Sequence, residues 1–387
     1  MTTWALPEHI EDLLPQDARK LEQMRRSVLD RFASHGYELV VPPLLEYVDS
    51  LLSGTGHDMD LATFKLVDQL TGRMMGLRAD TTPQVARIDA HILNRQGVAR
   101  LCYAGSVVHT LPSILGKSRQ PFQVGAELYG HAGLEADIEI QQLMLDTLNG
   151  LGISALQFDI GHPAIFRALV DAAKLPSAVA DAIFVATEAK DIPTLQTLRG
   201  AMGAMREAFL VLPTLHGGGE ILGRAAALLP ALPAIRESLA QLQIIEKHFS
   251  SQGIAVSIDL GELGGFNYES GIVFAAFATG AADAVARGGR YDEIGKAFGR
   301  ARPATGFSMD LKALLPLTPD VAQRGAILSP AVIDDAARQA IARLRAAGEI
   351  VVARLTGHDA HIQELGCDRE LVFNEGAWVV QKLKHEG

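Results

Sequence analysis

Two cysteines in 387 residues, Cys102 and Cys367, leave no disulfide framework and no CxxC pair for metal or redox work. A reducing cytoplasm is the expected setting. Long apolar runs are missing too. The longest, Ile272 to Ala282, ends at Asp283 and falls short of the roughly 20 residues of a spanning helix. Glu8, Glu11 and Asp12 arrive before any apolar h-segment, so no secretory signal is expected. Positive charge is scarce: 35 Lys and Arg face 45 Asp and Glu, a net charge of -10. Nucleic-acid binders draw affinity from basic residues gathered against phosphates, and here those residues are scattered and outnumbered. The balance argues against a nucleic-acid partner, and the lack of apolar spans against a membrane.

What is present is an ordinary globular composition, 48% hydrophobic and 21% charged, long enough for two or three domains. Ala18, Leu21, Met24, Val28 and Phe32 space an amphipathic helix over 17–34, stopped by Gly36. Tyr37–Val41 reads as a strand running into Pro42–Pro43. Further strands are expected at Met74–Arg78, Leu101–Thr110 and Phe122–Tyr129, a succession typical of an antiparallel sheet, then a helix at Ile138–Leu151. From about 160 to 250 the chain turns Ala- and Leu-rich with helical periodicity, the pattern of a helical insertion. Strand character returns at Val256–Leu260 and Ile272–Phe277, and Pro316 and Pro319 mark a linker. Beyond it lie a strand (Ala326–Leu328), a helix (Ile333–Ala347), a strand (Ile350–Leu355) and a hairpin turning at Asn374–Glu375–Gly376.

The Phe122–Tyr129 segment carries the most chemistry. Phe122, Val124, Ala126 and Leu128 alternate with Gln123, Gly125, Glu127 and Tyr129, so one face is apolar and the other bears an amide, a gap, a carboxylate and a phenol. Gln123 and Glu127 stand roughly 13 Å apart along the backbone, a polar clamp at each end of a bare floor. The same alternation also describes the solvated face of an edge strand. In Arg78-Ala-Asp-Thr-Thr-Pro83, Asp80 and Thr82 share a parity that would aim a carboxylate and a hydroxyl at an ammonium group; turn chemistry before Pro83 explains them equally well. Gly288-Gly-Arg-Tyr-Asp292 alone is a Gly-rich turn.

In order and at these separations, the pieces resemble the catalytic core of histidyl-tRNA synthetase, a class II aminoacyl-tRNA synthetase. Asp12–Pro15 opens the likeness. Tyr37–Pro43 resembles the dimer-forming first motif, Arg78–Pro83 with Tyr103–Gly130 the second motif and its approach, Asn267–Phe274 the histidine signature, and Arg287–Leu315 the third motif. The resemblance implies an α+β fold: an antiparallel sheet flanked by helices over 1–318, with a helical insertion at about 160–250, and a small C-terminal α/β module at 325–387. It further implies that histidine's ammonium falls to Asp80, Thr82 and Gln123. The imidazole falls to Glu127 and Tyr268, with Glu269 standing where the family's second Tyr would be. A carboxylate opposite a ring N–H makes a charge-assisted bond that favours imidazole over an apolar ring.

Three arginines of that family are replaced. His109 follows Tyr-x-Gly-x-x-x in the second motif, Gly264 opens the histidine signature, and Ala313 ends Asp310-Leu-Lys-Ala. Adenylation gathers negative charge on carboxylate and phosphates, and losing one preorganised donor typically costs about 10²–10³ in rate. With the shortened C-terminal region, the pattern resembles the ATP phosphoribosyltransferase regulatory subunit family. That likeness implies a non-catalytic, histidine-binding subunit without cofactor. It would self-associate as a dimer and partner a short-form catalytic subunit in the first step of histidine biosynthesis. The alternative is an active synthetase or amino-acid ligase forming an aminoacyl adenylate. His358 and His361 with Asp359 lack a third ligand in register, so no metal site is expected, and Leu215-His-Gly-Gly-Gly-Glu220 lacks the Lys-Ser/Thr of a phosphate loop.

Overall fold

A computed structural model describes residues 4–53, 57–112, 118–264, 269–320, 325–355, 357 and 364–383. Tyr268, His358, Asp359 and His361 lie outside them. The chain divides into two compact units, 1–319 and 320–387.

The first unit is built on a mixed sheet of nine strands among the described residues. From one edge to the other these are Glu38–Leu39, Ala99–Ser106, Phe122–Tyr129, Ala304–Asp310, Ala286–Arg290, Val273–Phe277, Gln157–Gly161, Ala255–Asp259 and His216–Gly217. The pairings from Ala99–Ser106 to Gln157–Gly161 are antiparallel; Glu38–Leu39 and Ala255–Asp259 join in parallel. Phe122–Tyr129 is therefore an interior strand rather than an edge, and residues 124–129 are buried on both faces. Its apolar parity, Val124, Ala126 and Leu128, packs into a core with Ile140, Leu143 and Met144 of the helix Leu134–Gly150 and Phe32 of the helix Pro15–Ser34. The N-terminal helix buries Lys20, Met24, Val28 and Phe32 at i, i+4 spacing, and the Lys20 ammonium donates to the Thr318 carbonyl at 2.7 Å.

Three strands fall well short of expectation, one of them Ile350–Leu355 in the second unit, which pairs only at Val351–Val352. The Tyr37–Val41 segment pairs as a strand at Glu38–Leu39, with Val40 N still donating to Cys102 O at 2.9 Å before Pro42–Pro43, which supply no amide donors. The 101–110 strand ends at Ser106, beyond which Val107 N bonds Pro121 O, Val108 N bonds Arg78 O and His109 N bonds Arg119 O. Between the Gln157–Gly161 and Ala255–Asp259 strands run the helices Ala164–Ala173, Ser177–Glu188, Ile192–Leu198, Arg206–Val211, Glu220–Leu228 and Pro233–Ser250, interrupted by His216–Gly217, which returns to the sheet.

The second unit has a four-stranded sheet, ordered Val351–Val352, Ala326–Leu328, Cys367–Asn374, Ala377–Lys382. Its helix Asp335–Ala346 starts two residues later than expected because Asp334 caps it, accepting from Ala337 N at 2.7 Å. Ala340 and Ile341 pack on Ile327, Val351 and Leu371. Glu375 (φ 47°) and Gly376 (φ 83°) form the tight hairpin turn. No helix of the described residues is long and apolar enough to cross a membrane.

Candidate functional site

The turn before Pro83 and the polar parity of the Phe122–Tyr129 strand meet at one cavity. Asp80 Oδ1 accepts from Thr82 N at 3.2 Å, as turn chemistry requires, and also from Gln123 Nε2 at 2.7 Å. Gln123 Oε1 in turn accepts from Thr81 N at 3.0 Å. At the other end of the same turn, Thr82 Oγ1 donates to Glu127 Oε1 at 3.1 Å. Four of the five residues singled out in the sequence, Asp80, Thr82, Gln123 and Glu127, are thus brought together; Tyr268 lies outside the described residues. Arg78 is structural: its guanidinium donates to Ser106 O and Pro42 O, each at 2.9 Å.

Glu127 is the buried centre, 1% exposed. Tyr103 OH donates to its Oε1 at 3.3 Å, while its Oε2 has no partner. Burial, with the Asp80 charge added, pushes this carboxyl well above the usual range. A buried carboxyl oxygen without a protein partner is costly, and it leaves this oxygen open toward the cavity. Glycines make room for these side chains. A Cβ on Gly125 would lie 2.4 Å from Tyr103 OH, and one on Gly306, paired opposite Glu127, would lie 1.6 Å from Glu127 Oε2 and 2.6 Å from Tyr291 OH. The Tyr291 hydroxyl is also buried and unpartnered. Within Gly288-Gly-Arg-Tyr-Asp292, then, the glycines and tyrosine serve the cavity. Arg290 turns away to bond Asp137 at 2.7 Å on the helix Leu134–Gly150, and Asp292 accepts from Ala304 N at 3.0 Å.

The cavity is about 510 Å³ and strongly acidic. Asp80, Glu127, Asp159, Glu188, Asp259, Glu262 and Glu269 line it, against one cationic lining side chain among the described residues, Arg287. Lys190, from outside the lining, pairs with Asp259 at 2.5 Å. Such a field attracts ammonium and imidazolium groups and repels a polyphosphate. His109, Gly264 and Ala313, where the family resemblance leads one to expect arginines, supply no guanidinium. His109 Nε2 is hydrogen-bonded to the Ala79 carbonyl at 2.8 Å, Gly264 lines the cavity with nothing but backbone, and Ala313 is exposed on the short helix Leu311–Leu314. No metal-binding cluster of His, Cys, Asp or Glu occurs among the described residues.

Tyr103, Tyr291 and Arg287 were not picked out from the sequence as cavity residues, and Glu269 only as the residue at the position of the family's second Tyr. Glu269 is 7% exposed, and its Oε2 is also without a partner. Burial and the neighbouring Glu262 push its carboxyl well up, against the pull of Arg287. A carboxyl raised on folding adds stability only below the ordinary Glu range, and that contribution is lost as pH rises through its folded pKa. Glu269→Met is therefore expected to stabilise the ligand-free chain by about 1–3 kcal/mol at neutral pH, with the gain vanishing toward pH 4. Thermal unfolding across a pH series checks this; a gain independent of pH counts against it.

Two family models match. The histidyl-tRNA synthetase model covers residues 9–314, and that of the ATP phosphoribosyltransferase subunit HisZ C-terminal domain covers 324–381. The chain is 54% identical over 385 residues to the ATP phosphoribosyltransferase regulatory subunit of Ralstonia nicotianae, covering 99% of each. It is 55% identical over 380 residues to that of Cupriavidus taiwanensis, covering 97% of this chain and 98% of the relative. A solved ATP phosphoribosyltransferase regulatory subunit/histidyl-tRNA synthetase from Bacillus halodurans superposes with a TM-score of 0.81 at 25% identity, covering 94% of this chain and 96% of the other. Histidyl-tRNA synthetase from Nostoc shares the fold, with a TM-score of 0.77 at 16% identity over 99% and 97% of the two chains.

Proposed function

The chain belongs to the family of ATP phosphoribosyltransferase regulatory subunits, and from that premise we propose that it binds histidine in a synthetase-derived cavity, without reacting it, and reports occupancy to a catalytic subunit. The observation that carries the reading is the acidic lining of the cavity, seven Asp and Glu side chains to one arginine, even with Glu127 and Glu269 pushed up by burial. Histidine's ammonium suits Asp80, with Gln123 holding that carboxylate and Thr82 bridging to Glu127. Its ring N–H suits the unpartnered Glu127 Oε2. ATP does not suit such a lining, because its phosphates would meet carboxylates where an adenylating enzyme needs cations.

The full chain is accordingly expected to show no histidine-dependent ATP–pyrophosphate exchange above a boiled control. Robust exchange would instead support the alternative, an active synthetase or ligase. Self-association as a dimer is part of the proposal. The edge strand Glu38–Leu39 leaves Leu39 51% and the nearby Val41 80% exposed, an apolar border that a second copy would cover.

A further inference from the structure

Histidine brings a carboxylate into a cavity already lined by seven acidic side chains, and Gly264, where the family resemblance leads one to expect an arginine, offers it only backbone. Resting on the histidine-binding reading above, we propose that Arg287 binds that carboxylate and makes the site select an amino acid over the corresponding amine or alcohol. Sheet register places it. Ser308 pairs opposite Gly125, and Arg287 pairs opposite Ser308, so the three residues lie in one row across the sheet, on the face that carries Gln123 and Glu127. Adjacent strands are about 4.8 Å apart, which puts the Arg287 backbone about 10 Å from the Gly125 floor, within reach of an extended arginine side chain. Ser308 and Gly125 between them raise nothing larger than a hydroxymethyl group.

The surroundings of Arg287 support this placement. It lines the cavity together with Gly264, and its charge is felt at the buried Glu269. Its present partner is Asp283, to which Nη2 donates at 2.7 Å, four residues away on the same segment and with the arginine side chain 54% exposed. Exposed pairs of this kind contribute little, so turning the guanidinium inward sacrifices little. A guanidinium offers a carboxylate two parallel N–H donors, a geometry that a lone ammonium does not reproduce.

The opposite consequences for two ligands test the assignment. L-histidinol keeps the ring and the ammonium and replaces the carboxylate with a hydroxymethyl group. In calorimetric titrations of the full chain, Arg287→Met is expected to weaken histidine about 10- to 150-fold, the range of a hydrogen bond between charged groups. Histidinol, a cation in an acidic cavity, is expected to bind the variant equally well or more tightly. Arg287→Lys keeps the charge without the fork, and should retain part of the preference for histidine. A purely structural role would move both ligands in the same direction. Equal loss for both, or a histidine affinity indifferent to Arg287→Met, overturns the assignment alone. No histidine binding by the unmodified chain overturns the functional reading with it.

Discussion

Gly306→Ala is expected to abolish histidine binding while leaving the chain folded and able to assemble with its partner. The added methyl would sit 1.6 Å from Glu127 Oε2 and 2.6 Å from the Tyr291 hydroxyl, distances no atoms tolerate. Gly306 is on an interior strand whose backbone is paired on both sides, so the backbone has little room to yield. The carboxylate must move instead, and its Oε1 is held by Thr82 and Tyr103. Evicting it removes the proposed imidazole acceptor and fills the ring's space in one step. Affinity should fall by more than about 100-fold, the upper range for a charged hydrogen bond before lost packing is counted. Glu127→Gln, which keeps shape and replaces the carboxyl by an amide, should weaken binding less, by about 10- to 150-fold. Calorimetry on variants with cooperative thermal unfolding reads both. A Gly306→Ala affinity within a few-fold of the unmodified chain would mean that the ligand sits elsewhere in the cavity.

Much of this geometry was open to reading in the sequence, and the limits are physical. Period-two alternation marked Phe122–Tyr129 to the residue, because a sheet strand with one core face admits no other pattern. It did not distinguish an edge from an interior strand, since that depends on Ala304–Asp310, a segment far along the chain that pairs with it. The same dependence hid Gly306, Arg287 and Tyr291: which residue stands opposite Glu127 is a matter of register between strands, and local sequence does not carry it. Tyr103 had a usable signal. It shares parity with Gly105 in a Tyr-x-Gly motif and pairs opposite Gly125, so a phenol above a glycine on the next strand was foreseeable once that pairing was known. Asp80 and Thr82 offered a choice between turn chemistry and ligand binding; the structure shows the turn bond, and it also sets both side chains at the cavity.

The second large effect concerns the partner. A protein that binds histidine without transforming it acts on metabolism only if occupancy biases two states of a complex, with a coupling typically of 1–3 kcal/mol, or about 5- to 150-fold. The catalytic subunit of ATP phosphoribosyltransferase is therefore expected to co-purify with this chain, and its activity to respond to histidine only when this chain is present. The cavity variants make the claim specific. Glu127→Gln should preserve the complex on size exclusion and move the histidine response to higher concentration by the factor it costs in affinity, whereas Gly306→Ala should leave an assembled complex blind to histidine. Linkage imposes a further condition: if histidine shifts the affinity of the complex for a substrate, that substrate must shift histidine affinity by the same factor. Measuring both arms by titration, on complex of fixed composition, separates a regulatory cavity from a mere histidine reservoir. A catalytic subunit that responds equally well with Gly306→Ala would place the sensing site outside this cavity, because that substitution leaves no room for a ring beside Glu127.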